Sequence, residues 1–261
     1  MCQHDFFANC PDRLITLAFP KNMPETIMAG QLNERECQIL ASAICSVAKK
    51  PQVVMEVGTW LGGGSTLHIL RALEENGTGH LWGIEANHSI YERMVTNIRA
   101  AVPKASARFT PLFGFSQAVI PKWLADQPHN VEVDLVFLDG GNRPGEQIKE
   151  FQLLDSHIPI GGQLLAHDVK LRKGKWLLPY ISKLDHWQTK LHDVSAEGLL
   201  VAKKIAPQPT RHSRRQARFT LLCLRCSPVE VLAAILPSRL CGFILKLLPN
   251  KFSRRLSDGR K

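Results

Sequence analysis

A chain of 261 residues can bury a full core and suggests one domain with an appendage. Its 44% apolar and 21% charged residues are ordinary for a soluble globular protein, so composition excludes neither an enzyme nor a binding module. The net charge of +10 is uneven: from Lys203 onward, 14 Lys or Arg stand against only Glu230 and Asp258, so the rest of the chain is slightly acidic.

Residues 1–23 read as irregular, and residues 24–49 as an amphipathic helical lead-in with Leu32, Cys37, Ile39 and Leu40 among its apolar positions. "QVVMEVG" then forms a short β-branched run that ends in a glycine-rich turn, followed by the helical "STLHILRALEEN". The alternation continues with "HLWGIEA" as a strand, His88–Ala101 as a helix, "ARFTPLF" as a strand, Ser116–Asp126 as a helix and "EVDLVFLD" as a strand. A helix near Glu146–Asp155, the strand "GGQLLAHD" and a helix near Lys175–Leu184 come next, and then the strands "WQTKLHDV" and "GLLVAKK". Alternation with strands apolar on both faces predicts a doubly wound α/β domain with a mostly parallel, seven-stranded sheet. The last two strands lie too close in sequence for a crossover helix, so they should pair antiparallel. The expected division is a lead-in over 1–49, an α/β domain over 50–204 and a basic extension over 205–261.

Seven cysteines at scattered positions do not form a secreted disulfide scaffold, and a reducing cytoplasm fits them best. Cys223 and Cys226 form one CxxC with no second ligand pair at finger-like spacing, which makes them ordinary thiols rather than a zinc site. The N-terminus carries no signal-peptide pattern. The longest apolar stretch, 220–248, is interrupted by Arg225, Glu230, Pro237 and Arg239, which argues against a membrane span. Its two apolar runs, "VEVLAAIL" and "LCGFILKLL", flanked by Lys and Arg, instead predict peripheral association with an anionic membrane surface.

The first turn of such a sheet is the usual ligand cradle. Here Gly58, Gly62, Gly63 and Gly64 permit close backbone approach, Thr59 lies in the same turn, and Ser65 and Thr66 fall where a helix exposes free N–H groups. Glu85 ends the second strand 27 residues after Gly58, near the offset at which an acid binds a ribose diol. A nucleoside ligand follows. The spacing G-x-x-x-G-G-G departs from the G-x-G-x-x-G of nicotinamide sites and disfavours NAD.

"EVGTWLGGGST", "GIEAN", "GFSQAVIP", "DLVFLDGG" and "GGQLLAHD", in that order over residues 53–203, resemble class I methyltransferases of the catechol O-methyltransferase type. The resemblance implies S-adenosylmethionine as cofactor. Glu85 would hold its ribose, Gly114, Ser116 and Gln117 would pack on its adenine, and Glu56 and Gly58 would lie near its methionine end. It also implies oxygen ligands for a divalent cation such as Mg2+ from Asp139 and Asp168, although Val169 stands where a third ligand, an Asn, is expected. Asn142 falls in the stretch after Asp139 where the family carries a catalytic lysine. His167 with Asp168 resembles the "HD" of bacterial small-molecule methyltransferases and offers a base near neutral pH. Asp139, Asn142, His167 and Asp168 are therefore the catalytic candidates. The acceptor expected is a hydroxyl of a small molecule, with loops 142–145 and 170–175 lining its pocket. A noncatalytic S-adenosylmethionine-binding module and methylation of RNA or a lipid head group are the alternatives, and the absence of an Asn/Asp-Pro-Pro-Tyr motif ranks nucleic acid below a small molecule.

Overall fold

The computed structural model describes residues 30–226. Five strands, β1 (Val53–Val57), β2 (His80–Glu85), β3 (Phe109–Phe113), β4 (Leu135–Leu138) and β5 (Gln163–Ala166), run parallel. The last two, β6 (Trp187–His192) and β7 (Leu199–Lys204), pair antiparallel to each other, and β7 pairs antiparallel to β5. The sheet order is β3-β2-β1-β4-β5-β7-β6, so winding reverses between β1 and β4, and the turns after those two strands open at the same edge.

Helices cover both faces of the sheet, and the central strand β4 is apolar and buried at every position. In β4, Leu135 and Phe137 face α1 (Glu34–Cys45), α2 (Ser65–Asn76) and α3 (His88–Ala101), packing with Leu40, Ile44, Leu70 and Met94. Val136 and Leu138 face the other way, toward α4 (Ser116–Asp126), α5 (Pro144–Leu154) and α6 (Leu177–Ile181), among Ile120, Ile148, Phe151 and Ile181. This two-sided burial is why the parallel strands show no polar alternation.

Local signals set several ends. Asn33 caps α1 in a reciprocal pair with Glu36, and Gly77 in the left-handed region (φ 71°) closes α2. The helix expected over 175–184 is only five residues long. A turn through Gly174 takes up its start, and Pro179, which has no N–H to donate, sits inside it.

The first part of the basic extension is docked on the domain. Helix α7 (Arg211–Arg225) buries Ser213, Ala217 and Leu221, and the Asp185 carboxylate accepts from Thr210 N at 3.0 Å and Ser213 Oγ at 2.8 Å. Its outer side exposes Arg211, Arg214, Arg215, Arg218, Phe219 and Leu222. Cys223 and Cys226 are exposed free thiols. Among the described residues no helix is long and apolar enough to cross a membrane. The two apolar runs expected to meet a membrane surface lie outside the described residues.

Candidate active site

A cavity of about 720 Å³ opens where the turns after β1, β2, β3 and β4 converge. The β1 turn is shaped by backbone contact. Gly58 adopts φ 90°, and a Cβ there would stand 2.6 Å from Gly140 N, so the chain after β1 lies directly against the chain after β4. Helix α2 follows Gly64 without a capping side chain; Leu67 N donates to Gly62 O at 3.0 Å, and Gly64 and Ser65 line the cavity at the helix start. Gly30, just ahead of α1, crosses this turn closely enough that a Cβ on it would sit 2.3 Å from Gly64 Cα.

Beneath the turn, Glu56 is fully buried and its Oε1 accepts from Ser65 Oγ, while Oε2 has no hydrogen-bond partner. Burial pushes the Glu56 carboxyl up to about 8, against the opposing pull of the Ser65 and Thr66 hydroxyls. Glu85 lies at the end of β2. Its Oε2 accepts from Trp60 N at 3.0 Å and its Oε1 from Asn87 N at 2.9 Å, so one carboxylate braces two turns while it lines the cavity.

At the β3 turn, Gly114 (φ 133°) leads into α4, and Gly114, Ser116 and Gln117 line the cavity. Ser116 Oγ donates to Glu150 Oε1 at 2.6 Å, and burial raises the Glu150 carboxyl to about 7. Trp60 and Phe115, 51% and 76% exposed, line the same cavity as two open aromatic faces. An open glycine turn, a carboxylate at the second strand and aromatic faces form a cradle suited to a nucleoside.

At the β4 end, Asp139 and Asn142 reach the cavity, and Glu146 Oε2 holds the loop by accepting from Asn142 N at 2.6 Å and Arg143 N at 3.0 Å. His167 and Asp168 end β5 off the cavity wall, and Asp168 takes a left-handed backbone conformation (φ 60°). His167 is buried, with Nδ1 3.2 Å from Asp139 Oδ1 and 3.4 Å from Asp168 Oδ1. Its Nε2 lies 3.4 Å from Glu36 Oε1 without hydrogen-bond geometry. Burial alone would lower the His167 pKa, but Asp139, Asp168 and Glu36 outweigh it and the imidazolium is favoured.

The loop after Asp168 folds back on itself. Leu171 N donates to Asp168 O at 2.9 Å, and a Cβ on Gly174 would lie 2.5 Å from that same oxygen. The fold-back returns Lys173 to both acids, with Nζ 2.9 Å from Asp139 Oδ1 and 2.5 Å from Asp168 Oδ2. Asp139, His167 and Asp168 bring ligand atoms within 4.8 Å of one another, a set able to surround an ion. With the ammonium already seated on both carboxylates and Val169 supplying no side-chain oxygen, this set fits a lysine and not a divalent cation beside it.

Ten of the expected residues therefore share one cavity wall: Gly58, Thr59, Gly64, Ser65, Glu85, Gly114, Ser116, Gln117, Asp139 and Asn142. Glu56, Gly62, Thr66, His167 and Asp168 stand outside that wall. Glu36, Glu150, Trp60 and Phe115 were not foreseen, and Lys173 was expected only as part of the 170–175 loop. Only the two aromatics left a trace in the sequence, as bulky residues inside otherwise polar or glycine-rich turns.

Residues 55–169 match the family model of a methyltransferase domain. No curated protein matches the chain in sequence. Among solved structures, the O-methyltransferase TomG from Streptomyces achromogenes, solved with S-adenosylmethionine, is similar at 16% identity and TM-score 0.55, covering 69% of this chain and 82% of that one. An O-methyltransferase from Bacillus cereus, in complex with S-adenosylhomocysteine, is similar at 17% identity and TM-score 0.53, with 69% and 84% covered. An rRNA methylase from Streptococcus thermophilus is similar at 10% identity and TM-score 0.51, with 68% and 100% covered. At these identities the shared property is the fold. Together with the family match, it bears out the resemblance to class I methyltransferases read from the motifs.

Proposed function

We propose that this chain, whose residues 55–169 match the family model of a methyltransferase domain, transfers a methyl group from S-adenosylmethionine to a hydroxyl of a small molecule. The observation that carries the reading is the single cavity in which the glycine turn, Glu85 and the Ser116–Gln117 turn stand at one part of the wall and Asp139 with Lys173 at another.

In this reading the bound sulfonium supplies an activated methyl group. The chain's own work is to hold and to move a proton. Glu85 accepts from the ribose hydroxyls, the amides at the start of α2 approach the polar end of the cofactor, and Trp60 and Phe115 offer flat apolar faces. Asp139 receives the proton that the acceptor hydroxyl gives up as its oxygen forms the new bond to carbon and the carbon–sulfur bond breaks. His167, hydrogen-bonded to Asp139 Oδ1, orients that carboxylate from behind. Holding the acceptor in line with the reacting carbon is the larger contribution, because displacement at carbon depends on alignment.

Calorimetric titration with S-adenosylhomocysteine, followed by transfer of labelled methyl from S-adenosylmethionine to a panel of hydroxylated small molecules, tests the reading. Binding of the nucleoside with transfer to a member of the panel supports it. No heat with either sulfur nucleoside refutes it. Binding without transfer to any hydroxyl, but with label entering RNA, moves the acceptor to nucleic acid.

A further inference from the structure

We propose that Lys173 is the resident cation of the reacting end of the site, a positioning residue that takes the place of a divalent ion between Asp139 and Asp168. The role in methyl transfer rests on the function proposed above; the geometry does not. The ammonium has three donors, and all are placed: Asp139 Oδ1 and Asp139 O at 2.9 Å each, and Asp168 Oδ2 at 2.5 Å. The two contacts to Asp139 have the separation of charge-assisted N–H···O bonds, and the contact to Asp168 is a close ion pair.

The arrangement around it is one that an ion would otherwise need. Asp139, His167 and Asp168 direct one ligand atom each into a region less than 4.8 Å across. His167 bridges the two acids from one side at 3.2 and 3.4 Å, and Lys173 bridges them from the other. Lys173 also lines the cavity and reaches Asp139, the acid at the cavity wall, so its charge fixes the carboxylate that faces the acceptor. It follows that the wild-type chain binds no divalent ion here and that removing the ammonium opens a cation site.

Paramagnetic resonance of free Mn2+, titrated with the full chain, tests this directly. Wild type should leave the free-ion signal unchanged. Lys173→Gln should bind Mn2+ at least tenfold more tightly than wild type, and adding Asp168→Asn to that variant should abolish the gain. A purely structural lysine would not produce a new metal site on removal. Mn2+ binding by wild type that is lost in Asp168→Asn overturns the proposal. So does a Lys173→Gln protein of native circular dichroism that binds Mn2+ no better than wild type. Should Lys173→Gln not fold, the wild-type and Asp168→Asn titrations still decide. None of these readouts uses S-adenosylmethionine, so failure here leaves the methyltransferase reading intact, and failure of S-adenosylhomocysteine to bind wild type removes that reading alone.

Discussion

Replacing Glu85 by Ala separates two roles that its geometry combines. The carboxylate accepts from Trp60 N and Asn87 N, so part of its effect is to brace the turns after β1 and β2. Each oxygen retains lone-pair capacity toward the cavity, where a ribose hydroxyl would donate to it. A hydrogen bond to a charged group contributes about 1.5–3 kcal/mol, and tenfold in affinity corresponds to about 1.4 kcal/mol. Glu85→Ala should therefore weaken S-adenosylhomocysteine binding roughly 10- to 150-fold by isothermal titration. The freed amides of Trp60 and Asn87 sit near an open cavity where water can reach them, so the ligand-free melting temperature should fall by only a few degrees. Glu85→Gln should lie between the two, because its amide nitrogen would oppose one of the backbone N–H groups. Affinity within twofold of wild type, accompanied by a large drop in melting temperature, would show that Glu85 is a brace and not a ligand.

Gly58→Ala places a side chain at φ 90° and 2.6 Å from Gly140 N, so conformational strain of about 1–3 kcal/mol adds to displacement of the Asp139–Gly140 turn. Both the melting temperature and the affinity for S-adenosylhomocysteine should drop, and an unchanged pair of values would refute the close approach. Glu56 is raised to about 8 by burial, with Glu150 raised to about 7 in the same direction. A carboxyl held above its unfolded value stabilises fully below about pH 4.5, and that stability is lost as pH rises through 8. Wild type should thus melt progressively lower between about pH 5 and pH 8. Glu56→Gln, which cannot ionise, should flatten part of that slope in melts taken across the range; an equal slope would mean Glu56 is ionised in the fold. Asp139→Asn should lower kcat by roughly a hundredfold to ten-thousandfold, the scale of general-base catalysis, while leaving nucleoside affinity within threefold. Equal losses in both would place Asp139 on the cofactor instead of the acceptor.

The fold was readable because its signals are local. Strands with no polar alternation, separated by helix-length segments, specify a covered parallel sheet, and the short connection between β6 and β7 forces their antiparallel pairing. That the glycine turn and Glu85 meet at one cavity was readable for a similar reason, since each follows a strand at a fixed offset. The partners that surround Asp139, His167 and Asp168 were not. Glu36 meets His167 across 131 positions of sequence, and nothing around Glu36 distinguishes a capping-box acid from one that also faces a buried imidazole. Glu150 reads as one more polar position on α5 until Ser116, 34 residues earlier, is brought against it. Lys173 lies in a segment without periodicity, and only the left-handed turn at Asp168 and the tight contact at Gly174 return it to the acids. The shortened α6 shows the same limit, for the residues that would have extended it are used to close that loop.

Surface loops ordinarily absorb insertions and deletions with little harm. The segment from Asp168 to Gly174 cannot, because it is tied at both ends and along its length: Val169 N donates to Gly198 O at 3.3 Å, Lys170 N to Glu197 O at 2.9 Å, and Gly174 returns against Asp168 O. Its length is counted rather than free. One added residue would swing the lysine away from both acids and in the same step vacate the space between them. A single insertion event is thus sufficient, in descent, to exchange a protein-borne charge for a borrowed ion, and related chains should divide by the length of this segment before they divide by the identity of the acids.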